Sequence, residues 1–443
     1  MKPYEKYKNS GIEWLGEIPE HWSAIRIRRL TLVKRGASPR PIDDMAYFDE
    51  NGEYGWVRIK DVTASVRYLE FTEERLSDLG SSKSVKLEPG NLFLSIAGSV
   101  GKPIINKIKC CIHDGFVYFP ELDINVEYLY YIFSTAEIYN GLGKLGTQLN
   151  LNTDTVGGIT IPIPSSVEEI ENIVSYLDHQ TAIIDELIAQ KEQLITLLKQ
   201  KRQAVINEAV TKGLNPNAKM KDSGIEWLGE VPESWKVVSL RYLGECQNGI
   251  SKSGDFFGKG DPFISYSDVY KNDVLPSIVN GLVESTPEDK ENFSVIEGDV
   301  FFTRTSETVE EIGYASVCLE TIKNAVFAGF VIRFRLTKKD ILLKEYARFL
   351  FRSFITRYHF VKEMNLVTRA SLSQDLLKSL PITLPSIKVQ KEIAEYLNGK
   401  TTSFDTIIEL NNKAILKLKE YRQSLISEAV TGKIDLRDWQ PNK

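Results

Sequence analysis

The chain has 443 residues, 42% hydrophobic and 26% charged, with a formal net charge of −5. This composition fits a globular protein of several folding units and excludes the disordered, collagenous and disulfide-scaffold classes, while the acidic balance argues against coating nucleic acid by bulk charge. No apolar run reaches the ~20 residues of a membrane helix, the opening Met1–Gly11 lacks an apolar signal core, and Cys110, Cys111, Cys246 and Cys318 have neither metal-ligand nor disulfide spacing. A cytoplasmic protein with free thiols, no metal site and no membrane contact is expected.

The first element in chain order is Lys8-Asn-Ser-Gly-Ile-Glu-Trp-Leu-Gly-Glu-Ile-Pro-Glu-His-Trp22. It returns as Lys221-Asp-Ser-Gly-Ile-Glu-Trp-Leu-Gly-Glu-Val-Pro-Glu-Ser-Trp235, differing only at Asn9/Asp222, Ile18/Val231 and His21/Ser234. The far ends of the two halves match as well, Arg202 to Thr211 against Arg422 to Thr431, so the duplication spans whole halves. Ser23 to Pro41 carries Arg26, Arg28, Arg29, Lys34, Arg35 and Arg40 with no acid among them, a candidate phosphate-contacting stretch.

The middles of the halves diverge and read as mixed structure. Short β-type runs (Val57 to Val62, Asn91 to Ile96, Phe116 to Phe119, Val331 to Leu336) lie between Gly, Pro and Asp turns. Aromatic-rich helical stretches follow at Val126 to Tyr139 and Leu342 to His359. The Pro-containing segments Ile161–Pro164 and Leu380–Pro385 then lead into two long helices. In the first, Ile170, Ile173, Leu177, Ile184, Leu187, Leu194, Leu198 and Val205 recur at alternating three- and four-residue spacing, a coiled-coil seam; Ile393, Leu397, Phe404, Ile407, Leu418, Tyr421 and Leu425 repeat it in the second. Ser166 with Glu169 predicts a capping box for the first helix and Gly213 its stop. Each helix would be a rod of about 65 Å, the two paired antiparallel. The fold class is therefore α+β: two mixed α/β globular domains separated by two long helices, with an internal pseudo-twofold repeat. The expected boundaries are 1–165 and 214–385 for the domains, 166–213 for the first spacer helix, and 386–443 for the second with its tail.

Catalytic constellations are not found. His21, His113, His179 and His359 have no partner at metal or triad spacing, and His179 and His359 are expected on helix surfaces. Gly98-Ser-Val-Gly-Lys102 fails the phosphate-loop register at Ile96 and Pro103, and Asp261-Pro-Phe263 reads as a turn entering a strand. Two nonidentical domains held apart by a rod suit the reading of two short stretches of one long ligand, and duplex DNA is such a ligand. Thr147, Gln148, Asn150 and Asn152, with their counterparts Thr368, Arg369, Ser371 and Ser373, form polar loops of the right type; polar hairpins without a ligand explain them equally.

The Gly-Ile-Glu-Trp-Leu-Gly-Glu-Ile-Pro opening at 11–19, its repeat at 224–232, Val57–Val62, Leu380–Pro385 and the Arg-Gln-x-x-Ile-x-Glu-Ala-Val-Thr helix ends together resemble the specificity subunit of type I restriction-modification systems across essentially the whole chain. Trp14, Trp22, Trp227 and Trp235 would anchor each opening segment to its core. The resemblance implies a non-catalytic subunit whose two target recognition domains each read half of a bipartite, gapped DNA site. It further implies helices that set the gap and dock two modification subunits, which methylate adenine N6, with restriction subunits joining that core. No cofactor is expected in this chain; S-adenosylmethionine, ATP and Mg would sit on the partner subunits. The candidate DNA-contacting residues are Arg35, Arg58, Lys60, Tyr266, Ser267 and Arg304 with the two polar loops. The candidate coiled-coil and partner-docking residues are Leu177, Ile184, Leu187, Leu194, Leu397, Phe404, Leu418 and Leu425. Two other readings stay open: a coiled-coil interaction scaffold without sequence-specific DNA binding, and, disfavoured by the missing methyltransferase motifs, a self-contained methylating enzyme.

Overall fold

A computed structural model describes residues 2–140, 142, 151–306, 312–338, 340–363 and 370–440. The chain divides into two compact units: Met1–Lys191 with Lys413–Lys443 form the first, and the continuous stretch Glu192–Asn412 forms the second. No helix among the described residues is long and apolar enough to cross a membrane.

In the first unit the repeated segment makes a small hairpin, Tyr7–Asn9 against Glu17–Pro19. Two sheets follow. One orders Lys34–Arg35, Phe116–Tyr118, Leu92–Ser95, Pro103–Asn106 and Tyr68–Leu69; the other orders Glu74–Leu76, Tyr54–Val57, Cys110–Ile112 and Val85–Leu87. Short helices α1 (Ile59–Ala64), α2 (Asp78–Ser82), α3 (Val126–Phe133) and α4 (Thr153–Gly158) connect them, and the first rod, α5 (Val167–Lys212), belongs to this unit up to Lys191. The strands are too short to bury much alone. Their inward Phe93, Phe116 and Trp56 and the aromatic face of α3 supply the fully buried large side chains around which the layers close.

The second unit repeats the plan with different detail. Its hairpin is Met220–Asp222 against Glu230–Pro232. One sheet orders Gly244–Asn248, Val331–Leu336, Val300–Thr303 and Ala315–Val317, and another Leu282–Val283, Phe257–Ile264 and Val326–Phe327. Its helices are α6 (Tyr266–Lys271), α7 (Pro287–Asn292), α8 (Lys344–Leu350), α9 (Phe354–Glu363) and α10 (Gln374–Ser379), together with the carboxyl-terminal part of α5 and the part of the second rod, α11 (Ile387–Val430), up to Asn412. In both units the Pro-containing segment before the rod becomes a strand, Thr160–Ile163 or Pro381–Leu384, paired antiparallel with the strand after the repeated tryptophan.

Each unit holds an antiparallel pair of helical segments. In the first, Arg422 of α11 ion-pairs with Asp185 of α5 at 2.9 Å, while Leu425, Ile426, Ala429 and Val430 join the core of Ile170, Ile173 and Leu177. In the second, Arg202 of α5 meets Asp405 of α11 at 3.1 Å, and Ile206, Ala209 and Val210 pack with Ile393, Ala394 and Leu397. The repeated tryptophans close the helix ends. Gly213 (φ +78°) ends α5, and a Cβ there would lie 3.1 Å from the Trp235 ring; Gly432 (φ +72°) follows α11 and faces Trp22 at the same distance.

Several sequence expectations need correction. The expected strand Val57–Val62 ends at Val57: Arg58 starts α1, because Asp61 accepts its backbone N–H at 2.8 Å and turns the chain. The capping box of α5 is half formed. Ser166 Oγ accepts the Glu169 N–H at 3.2 Å, but the Glu169 carboxylate accepts instead from Tyr4 Oη (2.7 Å) and Trp22 Nε1 (3.0 Å). His359 is buried and hydrogen-bonded to Ser379 Oγ at 3.1 Å rather than lying on a helix surface. In the seam, Leu177, Ile184, Leu397 and Leu425 are buried and Phe404 and Leu418 half-buried, but Leu187, Leu194, Ile407 and Tyr421 are exposed. Ile188 and Ile195 take the places given to Leu187 and Leu194, since a straight helix drifts by about 20° per heptad and the seam moves over by one residue.

Candidate nucleic-acid interface

In each unit two parallel strands end side by side, and the candidate residues gather at their carboxyl ends. In the first unit the strands are Tyr54–Val57 and Cys110–Ile112, with Val57 opposite Ile112. Beyond Val57, Arg58 is the N-cap of α1, which carries Lys60; beyond Ile112 the chain turns through His113, Asp114 and Gly115. The Arg58 guanidinium donates to Glu74 (2.7 and 3.0 Å) and lies 5.9 Å over the Trp56 ring, while Lys60 pairs with Glu73. Arg35, on the strand paired with Phe116–Tyr118, donates through Nε to the carbonyl of Asp114; Ser38 and Arg40 bond the Asp114 carboxylate at 3.1 and 3.2 Å. All six cations of the 23–41 stretch are exposed.

His113 sits at the middle of this group and was not singled out by its sequence context. Its ring lies 4.5 Å from Phe116 and 5.9 Å from Trp56, and Nδ1 accepts the Gly115 N–H at 2.8 Å. Burial lowers its pKa; Asp114 works the other way, and the Arg58 and Arg35 cations reinforce the lowering. A neutral imidazole whose Nδ1 accepts carries its proton on Nε2, a single hydrogen-bond donor among arginines.

The second unit builds the same place from other chemistry. Ile264 of Phe257–Ile264 lies parallel to Phe327, and Ser265 caps α6, with Asp268 accepting both the Ser265 N–H (2.8 Å) and Oγ–H (2.6 Å). Tyr266 and Ser267 therefore stand where Ile59 and Lys60 stand in the first unit. The Tyr266 ring stacks on Tyr270 at 6.0 Å, and Ser267 is exposed. The following turn, Ala328 to Phe330, is pinned by Ala328 N–H to Ile264 O (3.0 Å) and Arg304 N–H to Phe330 O (3.0 Å). Arg304 Nη1 reaches Gly329 O at 3.3 Å, so each unit brings an arginine from outside its parallel pair to the turn after its second parallel strand. Ser371 pairs with Thr305, and the Leu372 N–H bonds Arg304 O at 2.7 Å, which places Ser371 beside Arg304. Phe330, 64% exposed on this pinned turn, is a further candidate that sequence reading missed.

The polar loops are less fully in view. Thr147, Gln148, Asn150, Thr368 and Arg369 lie outside the described residues. Asn152 and Ser373 at the loop ends are helix N-caps, accepting the N–H of Thr155 (2.9 Å) and Leu376 (3.0 Å), so their side chains serve α4 and α10. Lys102 of the Gly98–Lys102 turn donates to the carbonyls of Thr63 and Ser65 at 3.1 and 2.6 Å, which occupies its ammonium at the end of α1. Among the described residues no three His, Cys, Asp or Glu side chains group as metal ligands.

The family profile for the type I restriction modification DNA specificity domain matches twice, over residues 19–197 and 232–420. The chain belongs to that family. The specificity subunit of the type I restriction enzyme EcoKI from Escherichia coli (strain K12) is 25% identical over 440 residues, covering 95% of this chain and 90% of the relative. The MjaVIII specificity subunit of Methanocaldococcus jannaschii is 22% identical over 428 residues, covering 95% of each chain. A solved chain described under the structural basis of complex assembly and conformational transition of the type I R-M system shares the fold with a TM-score of 0.71 at 16% identity, over 94% of this chain and 99% of that one. The HsdS subunit of Thermoanaerobacter tengcongensis follows at 0.51 and 16%, covering 94% and 98%. As a type I specificity subunit, the chain serves DNA target recognition within a larger restriction-modification complex, a targeting rather than a catalytic task.

Proposed function

We propose that this specificity subunit reads a bipartite, gapped DNA site, one half with each globular domain, and recruits two modification subunits and the restriction subunits to it. The recognition domains are 1–165 and 214–385, and 166–213 and 386–443 are the spacers. The observation that carries this reading is the repeated site with unlike chemistry: Arg35, Arg58, Lys60 and His113 in one unit against Tyr266, Ser267, Arg304 and Phe330 in the other. Two half-sites of different sequence require different donors on a common framework, since bases are told apart by donor and acceptor patterns at groove edges. Arginines at a pinned turn suit bidentate contact with guanine, and the exposed cations of the 23–41 stretch suit the phosphates that set register. Thr147, Gln148, Asn150, Thr368, Arg369 and Ser371 complete the proposed surface.

Ile183 and Leu187 in the first unit's part of α5, and Leu194 and Leu197 in the second unit's part, are exposed apolar positions that support helix-mediated docking of the modification subunits. S-adenosylmethionine, ATP and Mg belong to those partners in this reading, and the assembly works in the cytoplasm. The test is a genome-wide adenine-methylation map from cells carrying the chain with its modification subunit, compared with cells lacking the chain. A gapped motif that disappears on deletion is the expected result, and Arg304→Ala should relax one half of that motif while the other persists. If no methylated motif depends on the chain in an active system, the scaffold reading replaces this one. Inserting one heptad in each rod should lengthen the gap and leave both half-sites unchanged.

A further inference from the structure

In the first unit the segment after α11 runs back along the repeated hairpin. The Lys433 N–H bonds Glu428 O at 2.8 Å, its Nζ donates to Glu17 O at 2.7 Å, and the ammonium lies 5.9 Å from the Tyr7 ring centroid. The Asp435 N–H bonds Lys2 O at 2.9 Å, and Asn172 of α5 donates to Arg437 O at 2.8 Å. Leu436 is buried in the core that holds Leu15 and Tyr176, and Trp439 meets the Tyr176 ring edge-on at 5.5 Å. Under this cover Tyr176 is only 3% exposed.

The second unit repeats the walls of that place. Met220, Leu228 and Glu230 stand where Tyr7, Leu15 and Glu17 stand in the first hairpin, and Val205 and Ala209 of α5 repeat Leu425 and Ala429 of α11. Tyr396 repeats Tyr176, because the next turns match: Thr401 Oγ1 donates to Leu397 O, and Thr181 Oγ1 to Leu177 O, both at 2.7 Å. Residues 213–219, which join α5 to the second hairpin, take the place of residues 2–6: Lys219 O accepts the Glu233 N–H at 2.8 Å as Lys6 O accepts that of Glu20 at 3.0 Å. The place of residues 433–439 is a groove of about 700 Å³, lined by Val205, Ala209, Met220, Leu228, Glu230 and Tyr396. Tyr396 is 40% exposed along it.

We propose that this groove binds an extended segment of a partner polypeptide that carries lysine, leucine and tryptophan at three-residue intervals, as Lys433, Leu436 and Trp439 do in the first unit. The carbonyls that receive Lys433 have counterparts in those of Glu208 and Glu230. The exposed carboxylates of those two residues, with exposed Lys212 beside them, suit a segment in which a cation leads and an acid follows, the order of Lys433 and Asp435. An aromatic anchor closing over Tyr396 supplies most of the affinity, since large side chains entering a preformed apolar groove dominate such contacts. A second copy of this chain supplies no gain, because moving its residues 433–439 into the groove vacates the equivalent place in its own first unit. The inference stands apart from the DNA-reading role, and its test contains no DNA.

The test is fluorescence anisotropy of a fluorescein-labelled peptide of residues 432–439, titrated with the full-length chain. Saturable binding is expected, weakened at least ~10-fold by Tyr396→Ala in the chain and equally by Trp439→Ala in the peptide. Tyr396 is partly exposed on a helix and alanine is a good helix former, so that variant keeps the fold. Glu230→Lys, at an exposed position, should weaken binding as well by repelling the leading lysine. Binding no tighter than that of a scrambled peptide overturns the proposal. Binding unchanged by Tyr396→Ala does so too, because the peptide is then displacing residues 433–439 from the first unit. Sedimentation that shows self-association abolished by Tyr396→Ala assigns the groove to a second copy and likewise overturns it.

Discussion

Arg67 is the most heavily engaged cation of the first unit, and truncating it tests how that globular domain is fixed to its rod. Its side chain is 15% exposed. Nη1 donates to Asp178 of α5 (2.5 Å) and to Tyr131 Oη (3.2 Å), Nε donates to Glu127 of α3 (2.8 Å), and the guanidinium lies 4.9 to 5.0 Å from the rings of Tyr68, Tyr130 and Tyr131. Removing one partner of a buried ion pair costs about 3–5 kcal/mol, but Asp178 is 46% exposed and water compensates part of that loss. Arg67→Ala should therefore destabilise the junction of α3 with α5 by about 2–3 kcal/mol, and Asp178→Ala by about 1 kcal/mol. The double variant should cost about 1 kcal/mol less than the sum, because each single change already removes the shared bond. The chain has two units and need not melt in one transition, so the assay is native-state hydrogen exchange of the α3 amides, which reads local opening free energy. Additivity within about 0.5 kcal/mol would show that Arg67 and Asp178 are not coupled and would refute the brace.

His113 gives a pH prediction. Its folded pKa lies below the ordinary 6.5, so between the two values the unfolded chain binds more protons and stability rises with pH. The first unit should lose stability as pH falls below about 6.5, and His113→Gln should flatten that loss in acid-titrated denaturant melts. Gly432→Ala should destabilise the end of α11 by about 2 kcal/mol in urea unfolding, since φ is +72° and a Cβ would lie 2.5 Å from the Pro19 ring. The thiols of Cys110 and Cys318 are pushed up to about 12 by burial, so in native protein at pH 8 neither should be alkylated by iodoacetamide within hours, and both should react once unfolded.

The duplication was legible because the repeated opening and the helix ends carry long, nearly unchanged strings, and the rods were legible because no Pro or Gly breaks α5. What could not be read was the third dimension of each contact. The Val57–Val62 run has β-branched residues in strand rhythm, yet the Asp61 carboxylate captures the Arg58 N–H and a helix begins. Glu169 sits at capping-box spacing, but tertiary partners 147 and 165 residues away outcompete the local one. His113 and Phe330 have no sequence signature at all. Their place in the site comes from strand pairing that aligns Ile112 with Val57 and Phe327 with Ile264, and a retrospective signal exists only in their shared position just after the second parallel strand.

The division of the chain also bears on how it is made. The second unit is one continuous stretch, whereas the first holds Leu425, Ile426, Ala429 and Val430 of α11 inside its core. A ribosome adds those residues only after the whole of the second unit. The half that leaves the exit tunnel first thus waits with an apolar face of α5 unpaired while more than two hundred further residues are added, at roughly 5–20 residues per second. For some tens of seconds at the slower rates, the nascent chain carries a complete second unit and an incomplete first one, and it is the arrival of the α11 residues that lets the first unit close.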